Sequence, residues 1–181
     1  MPVLHKYRPL AVTIFQNRKP DRMDYQLEEV NISNKLKELD IELPSTIAFY
    51  PENLKLATKK DELIFTETAA ELCKYFKEQN INTEFFGADT ELYRSRKSAE
   101  IYLPAIFISL SLVSENPSIV SVALNVLSNY ITEFFKGTFG KKTVNIEFFI
   151  ETRKKNVVKK VAYKGDVQGL SELEKVIKSL K

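Results

Sequence analysis

The chain is poor in the residues from which reaction centres are usually assembled. Its 181 residues include one cysteine (Cys73), one histidine (His5), five glycines and no tryptophan. A lone cysteine makes no internal disulfide and suits a reducing compartment. A Ser-His-Asp or Cys-His arrangement would have to be built around His5, close to the chain terminus. A tetrahedral zinc site of ordinary composition is not available either. Cys73 falls on the apolar face of an expected helix and reads as a small hydrophobe, because reactive thiols sit in open, electropositive surroundings.

Glycine scarcity bears on phosphate binding, which needs glycines for close backbone approach. The stretch Gly137-Thr138-Phe139-Gly140-Lys141-Lys142-Thr143 has two residues between its glycines, where a Walker loop has four, and leads into a strand rather than a helix. The G-x-x-G clamp of a KH domain joins two helices, whereas this stretch joins a helix to a strand. It reads as an α-to-β connection. Long apolar runs are missing too: none reaches the roughly 18 residues a membrane-spanning helix needs. The opening MPVLHKYRPLAV lacks the apolar core of a signal peptide. The expected address is cytoplasmic.

What is present is a dry third quarter. Between Ile101 and Phe135 only Glu115 and Glu133 are charged, although charged residues make up 28% of the chain. Ile119, Val122, Ala123, Val126, Leu127, Tyr130, Ile131 and Phe134 form a continuous stripe at helical spacing, broadened by Val120, Leu124 and Phe135. With Asn116 as cap, Pro117 in the first turn and Gly137 as stop, this predicts a central helix over 118–136, buried on most of its circumference. The preceding 101–113 supports two readings. Ile108, Leu110 and Leu112 alternate with serines as in a strand, while Pro104 could equally open a helix.

The remaining elements follow in order. Residues 1–10 read as an extended basic lead-in and Ala11–Phe15 as a first strand. The spacing of Leu27, Val30, Leu36 and Leu39 predicts a helix over 27–39. Residues 46–50 read as a strand. A helix follows from Thr66 or Thr68, the latter forming a capping box with Glu71, and carries Ala69, Leu72, Cys73 and Phe76 on one face. Asn80 suits a left-handed stop, and 81–86 reads as a strand, so strand-helix-strand predicts a parallel crossover. Val144, Ile146, Phe148 and Ile150 alternate in a strand that turns at Arg153–Asn156 and returns as Val157–Tyr163. Gly165 and Asp166 end that strand. Leu170, Leu173, Val176, Ile177 and Leu180 line a last amphipathic helix, with Ser171 and Glu174 as its capping box. Residues 16–26 and 87–99 are candidate linkers. The expectation is one α/β domain over 1–181 with a mixed sheet, an early parallel βαβ crossover and a late antiparallel hairpin.

Two clusters could carry binding or chemistry. Lys141, Lys142, Arg153, Lys154, Lys155, Lys159, Lys160 and Lys164 gather around the hairpin, where they could neutralise phosphates of a nucleic acid. Alternation weakens that cluster by placing Lys159 opposite in direction to Lys160 and Lys164. In one register Glu151 would face Lys160 and Glu147 would face Lys164, though the sequence does not fix the register. Asp61, Glu62, Glu67 and Glu71 offer carboxylates for a divalent cation, and hence a metal-dependent enzyme, but a solvated helix face accounts for them equally well. No catalytic residue, metal ligand or cofactor is assigned. Eight Tyr and twelve Phe exceed what the elements need. Tyr7, Tyr25, Tyr93 and Tyr102 lie outside the clearest core stripes, and aromatics are favoured where proteins meet.

The last third, VALNVLSNYITEFFKG, then the hairpin, then YKGDVQGLSELEKVIKSL with its Gly-x-x-x-Gly entry to a helix, resembles the small effector-associated α/β components of bacterial conflict and defence systems. The resemblance covers residues 100–181 and implies tethering or assembly of partners. It carries no catalytic residue to any position here. The expected function is a non-catalytic adaptor or assembly component with a protein partner or self-association. Nucleic-acid binding through 141–164 and carboxylate-metal chemistry near 61–71 are the alternatives.

Overall fold

The computed structural model describes residues 23–66, 68–87, 93–94, 101–137, 139–140, 142–154 and 157–180. The expected lead-in and the strand at Ala11–Phe15 lie outside the described residues, as does the side chain of Tyr93.

The architecture is α/β. Seven strands make one mixed sheet, and the buried residues form one hydrophobic cluster. Strand β1 (Met23–Asn31) is followed by α1 (Ser33–Leu39) and β2 (Ile47–Tyr50). A short strand β3 (Phe65–Thr66) leads to α2 (Thr68–Glu78) and β4 (Thr83–Phe85), and β5 (Tyr93–Arg94) pairs with β3 in a separate ribbon. Then come β6 (Ile101–Tyr102), β7 (Ala105–Ile108), α3 (Leu110–Glu115), α4 (Ile119–Phe134), β8 (Val144–Glu151), β9 (Val157–Gly165) and α5 (Val167–Ser179). Across the main sheet the order is β1-β9-β8-β7-β2-β4, with β6 beside β8. The crossover β2-α2-β4 is parallel and the hairpin β8-β9 antiparallel, as expected.

Residues 27–39 are not one helix. Leu27 and Val30 belong to β1, which pairs along its whole length with β9, and only Ser33–Leu39 is helical. Nine registered pairs outweigh a weak helical spacing. The break is local: Asn31 Oδ1 accepts a hydrogen bond from the Ser33 amide at 2.9 Å, an Asx turn that ends the strand. The expected linker 16–26 therefore loses its last residues to β1. The 101–113 stretch is both things in turn, strand through Ile108 and helix from Leu110. Ser109 caps that helix, its hydroxyl accepting from the Leu112 amide at 3.2 Å.

The helix starts also differ from expectation. Asp166 caps α5, accepting from the Gly169 amide at 2.8 Å, so the helix begins a turn before the predicted Ser171 box. Neither Thr66 nor Thr68 caps α2, since their buried hydroxyls have no hydrogen-bond partner. Glu71 instead accepts from Tyr130 Oη at 2.7 Å, tying α2 to α4. Asn116 does not cap α4 directly; it accepts from the amide and hydroxyl of Ser118 in the turn joining α3 to α4. The strand β9 does end at Gly165, with Asp166 passing into α5. Gly165 is the last paired residue, and it is small because a Cβ there would collide with the Tyr163 phenol.

Helix α4 is buried along most of its predicted stripe, with Val122 only partly buried and Phe134 53% exposed where the helix ends. Ile119, Val120, Ala123, Leu124, Val126, Leu127, Tyr130 and Ile131 are all buried. Each large apolar side chain so removed from water stabilises the fold by about 1.5–3 kcal/mol before entropy is counted. A polar clasp joins α4 to α5: Ser121 Oγ donates to Glu174 at 2.6 Å, and Lys178 Nζ contacts the same oxygen at 2.6 Å. These two hydrogen bonds, the lysine's first, hold the Glu174 carboxyl below its usual pKa.

Candidate binding groove

The ladder registers sort the strand residues onto two faces. Phe49, Ile106, Phe148, Val161 and Leu27 lie in one row across the sheet, on the face where Phe49 meets Phe76 of α2 edge-on at 6.3 Å. The neighbouring row on the other face runs Ala48, Phe107, Phe149, Lys160 and Glu28. That second face is apolar at the β2-β7 end. Tyr50 stacks on Phe149 with centroids 3.8 Å apart, and Phe86 packs against Tyr50 and Phe107 at 5.0 and 5.4 Å. Along β8, β9 and β1 it becomes polar, with Asn145, Glu147, Lys160, Lys164 and Gln26.

At this transition lies a groove of about 660 Å³, floored by Tyr50, Phe149, Lys160 and Ala162 and walled by residues 51–56 with Tyr102 and Leu103. The wall has a defined shape because a turn closes it, with the amide of Leu56 donating to the carbonyl of Asn53 at 2.8 Å. Asn53 in turn accepts from the Ile64 amide at 2.8 Å and donates to the Glu62 carbonyl at 2.7 Å. This turn sends Leu54 into the core at 2% exposure and leaves Leu56 at 82% on the rim, near the half-exposed Tyr102. Burial, with the nearby Glu147 carboxylate adding to it, pushes the Tyr50 phenol above its ordinary pKa and keeps it neutral.

The hairpin lysines are divided rather than gathered. Lys160 and Lys164 line the groove, but Lys160 Nζ is bound to Glu147 at 2.6 Å. The hairpin register is shifted by two residues from the one that would set Glu151 against Lys160. Glu147 pairs with Ala162, Asn145 with Lys164 and Glu151 with Val158. A two-residue shift keeps each side chain on its face, so Lys160 still reaches Glu147, diagonally. Glu151 instead accepts from the Leu110 amide at 2.8 Å, at the start of α3. Lys159 lies on the helix-covered face in the row of Ile150. Lys154 pairs with Glu29 at 3.2 Å, and Lys142 donates to the Phe135 carbonyl at 3.1 Å. Arg153 is exposed, while Lys141 and Lys155 lie outside the described residues.

The carboxylates near 61–71 have separate tasks. Glu62 accepts from the Thr58 amide at 2.7 Å and from its hydroxyl, bonds that lower its pKa. Glu71 is held by Tyr130, Asp61 sits in a short 3-10 turn, and Glu67 lies outside the described residues. Among the described residues no group of three or more His, Cys, Asp or Glu side chains is placed to share a metal ion. Cys73 is partly buried against the core and accepts a hydrogen bond from Thr83 Oγ1 at 3.3 Å.

Sequence reasoning marked Tyr102 but missed the 51–56 wall. In Asn53-Leu54-Lys55-Leu56-Ala57 nothing local distinguishes the inward from the outward leucine. No protein-family model, no curated protein and no solved structure matches the chain. Among the described residues no helix is long and apolar enough to cross a membrane.

Proposed function

We propose that this chain is a non-catalytic adaptor: a protein-binding component of a cytoplasmic bacterial assembly of the defence type, engaging its partner through the groove beside residues 51–56. The observation that supports this most is the groove's make-up. An aromatic floor and an outward Leu56 adjoin charges of both signs, Lys55, Lys160 and Lys164 against Glu52 and Glu147. A polyanion would meet the two glutamates and find Lys160 already neutralised, whereas a polypeptide offers complementary charges and apolar anchors together. An exposed apolar side chain beside a partly aromatic cleft marks a surface where a protein partner can bury apolar area.

The test is the affinity of the purified chain for the purified products of its neighbouring genes. Leu56 is exposed, so Leu56→Asp should leave the circular dichroism spectrum unchanged while weakening binding by roughly tenfold or more, the cost of placing a charge in an apolar contact. Equal binding by Leu56→Asp, or none by any neighbour, overturns the proposal. Oligonucleotide binding that falls steeply with salt and is lost in Lys154→Glu would replace it with the nucleic-acid reading.

A further inference from the structure

A second surface, independent of the groove, stands at the end of α4. Every described phenylalanine except two is buried or packed against the core. The exceptions are Phe134, 53% exposed in the last turn of α4, and Phe139, 103% exposed in the loop beyond it. That loop has a fixed base. Lys142 Nζ returns to the Phe135 carbonyl at 3.1 Å and lies 5.5 Å from the centroid of the Phe135 ring. Its far part stands clear of the body, since a Cβ added at Gly137 or Gly140 would meet nothing within 4 Å. Both glycines have positive φ, 81° and 102°, so they set a turn that other residues adopt only with strain. The chain thus holds an aromatic ring out into water on a short arm.

Along the sequence of the loop the charge is of one sign. From Lys136 to Lys142 the sequence contains three lysines and no acidic residue. Lys136 is 74% exposed at its side chain, its pairing with Glu133 at 3.4 Å being a surface contact that salt screens. Lys142 offsets the negative end of α4 by bonding the Phe135 carbonyl. Apolar rings flanked by lysines, with Glu133 the one carboxylate beside them and already paired to Lys136, match an anionic bilayer. The rings enter the acyl boundary while the lysines stay with the phosphates. A protein pocket for Phe139 would require acidic residues to face the lysines. A second copy of this chain would bring a second set of lysines against the first.

The geometry points to the end of α4 and the described residues beyond it, Phe134 to Gly137, Phe139, Gly140 and Lys142, as a peripheral contact for an anionic lipid surface, with Phe139 and Phe134 as the inserting groups and Lys136 and Lys142 at the headgroups. Such a contact is weak by itself and reversible, and it would place an adaptor at a membrane without a spanning helix.

The absence of tryptophan makes the test clean. In Phe139→Trp, the only indole reports on that ring. Adding vesicles of phosphatidylglycerol with phosphatidylcholine should shift its emission to the blue, and phosphatidylcholine alone should not. In flotation with the same vesicles, Phe139→Ser should lower the bound fraction roughly tenfold or more. Lys136→Glu should lower it roughly fivefold or more, and raised salt should act in the same direction. Both positions are exposed, so folding is not at issue. An emission maximum that ignores anionic vesicles overturns the inference, as does flotation unaffected by Phe139→Ser. A blue shift that comes on concentrating the protein without lipid overturns it in favour of self-association.

Discussion

The two faces of the main sheet are made from the same strands yet meet different fates. On the helix-covered face the row from Phe49 through Ile106, Phe148 and Val161 is buried in every member. On the groove face the adjacent row is sealed at Phe107 and Phe149 but passes into Lys160 and Glu28. One face is core from β2 through β9 along this row, giving way only towards β1. The other is a core at one end and a binding surface at the other, and the stacked pair Tyr50–Phe149 marks the boundary. A strand with alternating residues can serve both purposes because its two sets of side chains never share an environment.

The contrast gives an ordered set of expectations. Phe148→Ala, on the fully buried face, should destabilise most, by about 3–5 kcal/mol in denaturant unfolding. Phe149→Ala, at the boundary, should cost less, about 2–3 kcal/mol, since the groove beside it lets the site relax. Equal losses would erase the distinction between the faces. Gly165→Ala should cost about 1–3 kcal/mol by forcing the added methyl against the Tyr163 ring. Breaking Lys160–Glu147, which is partly exposed, should show a coupling energy of only about 0.5 kcal/mol in a double-mutant cycle.

Both faces share one pH dependence. Burial raises the phenol pKa of both Tyr50 and Tyr163, with nearby carboxylates adding to it. A group whose folded pKa lies above its unfolded value contributes stability that is complete below the unfolded pKa and lost as pH rises past it. Stability should therefore fall above roughly pH 10, the unperturbed tyrosine value. Tyr163 also donates to the Asp166 carbonyl at 2.6 Å, next to the cap of α5. Tyr163→Phe and Tyr50→Phe should each blunt the alkaline loss, measured by denaturant unfolding across pH 8 to about 11. An alkaline slope unchanged in both variants would contradict this assignment.

Much of the helix-covered face was legible in the sequence because its signals are redundant. In α4 the stripe, the absence of charge and the glycine stop all agree, and in β8 strict alternation fixes the inner set. β1 was illegible because the three-residue spacing of Leu27 and Val30 suits a helix and sets them on opposite faces of a strand, and the deciding partner, β9, lies more than a hundred residues away in the sequence. The sequence leaves the hairpin register open for a related reason. A shift of two residues leaves every side chain on its proper face, so hydrophobic pattern cannot choose between the alternatives. The groove was least legible. Its floor borrows residues already needed as core, and its wall depends on one turn that decides between Leu54 and Leu56.

The proposal that the open end of this second face is a docking surface is tested most directly by amide hydrogen exchange, with and without a bound partner. Added protection at 51–56, around Tyr102 and along β1 and β9 is the predicted result. Protection confined to α2, α4 and α5, with the groove strands unchanged, would contradict it.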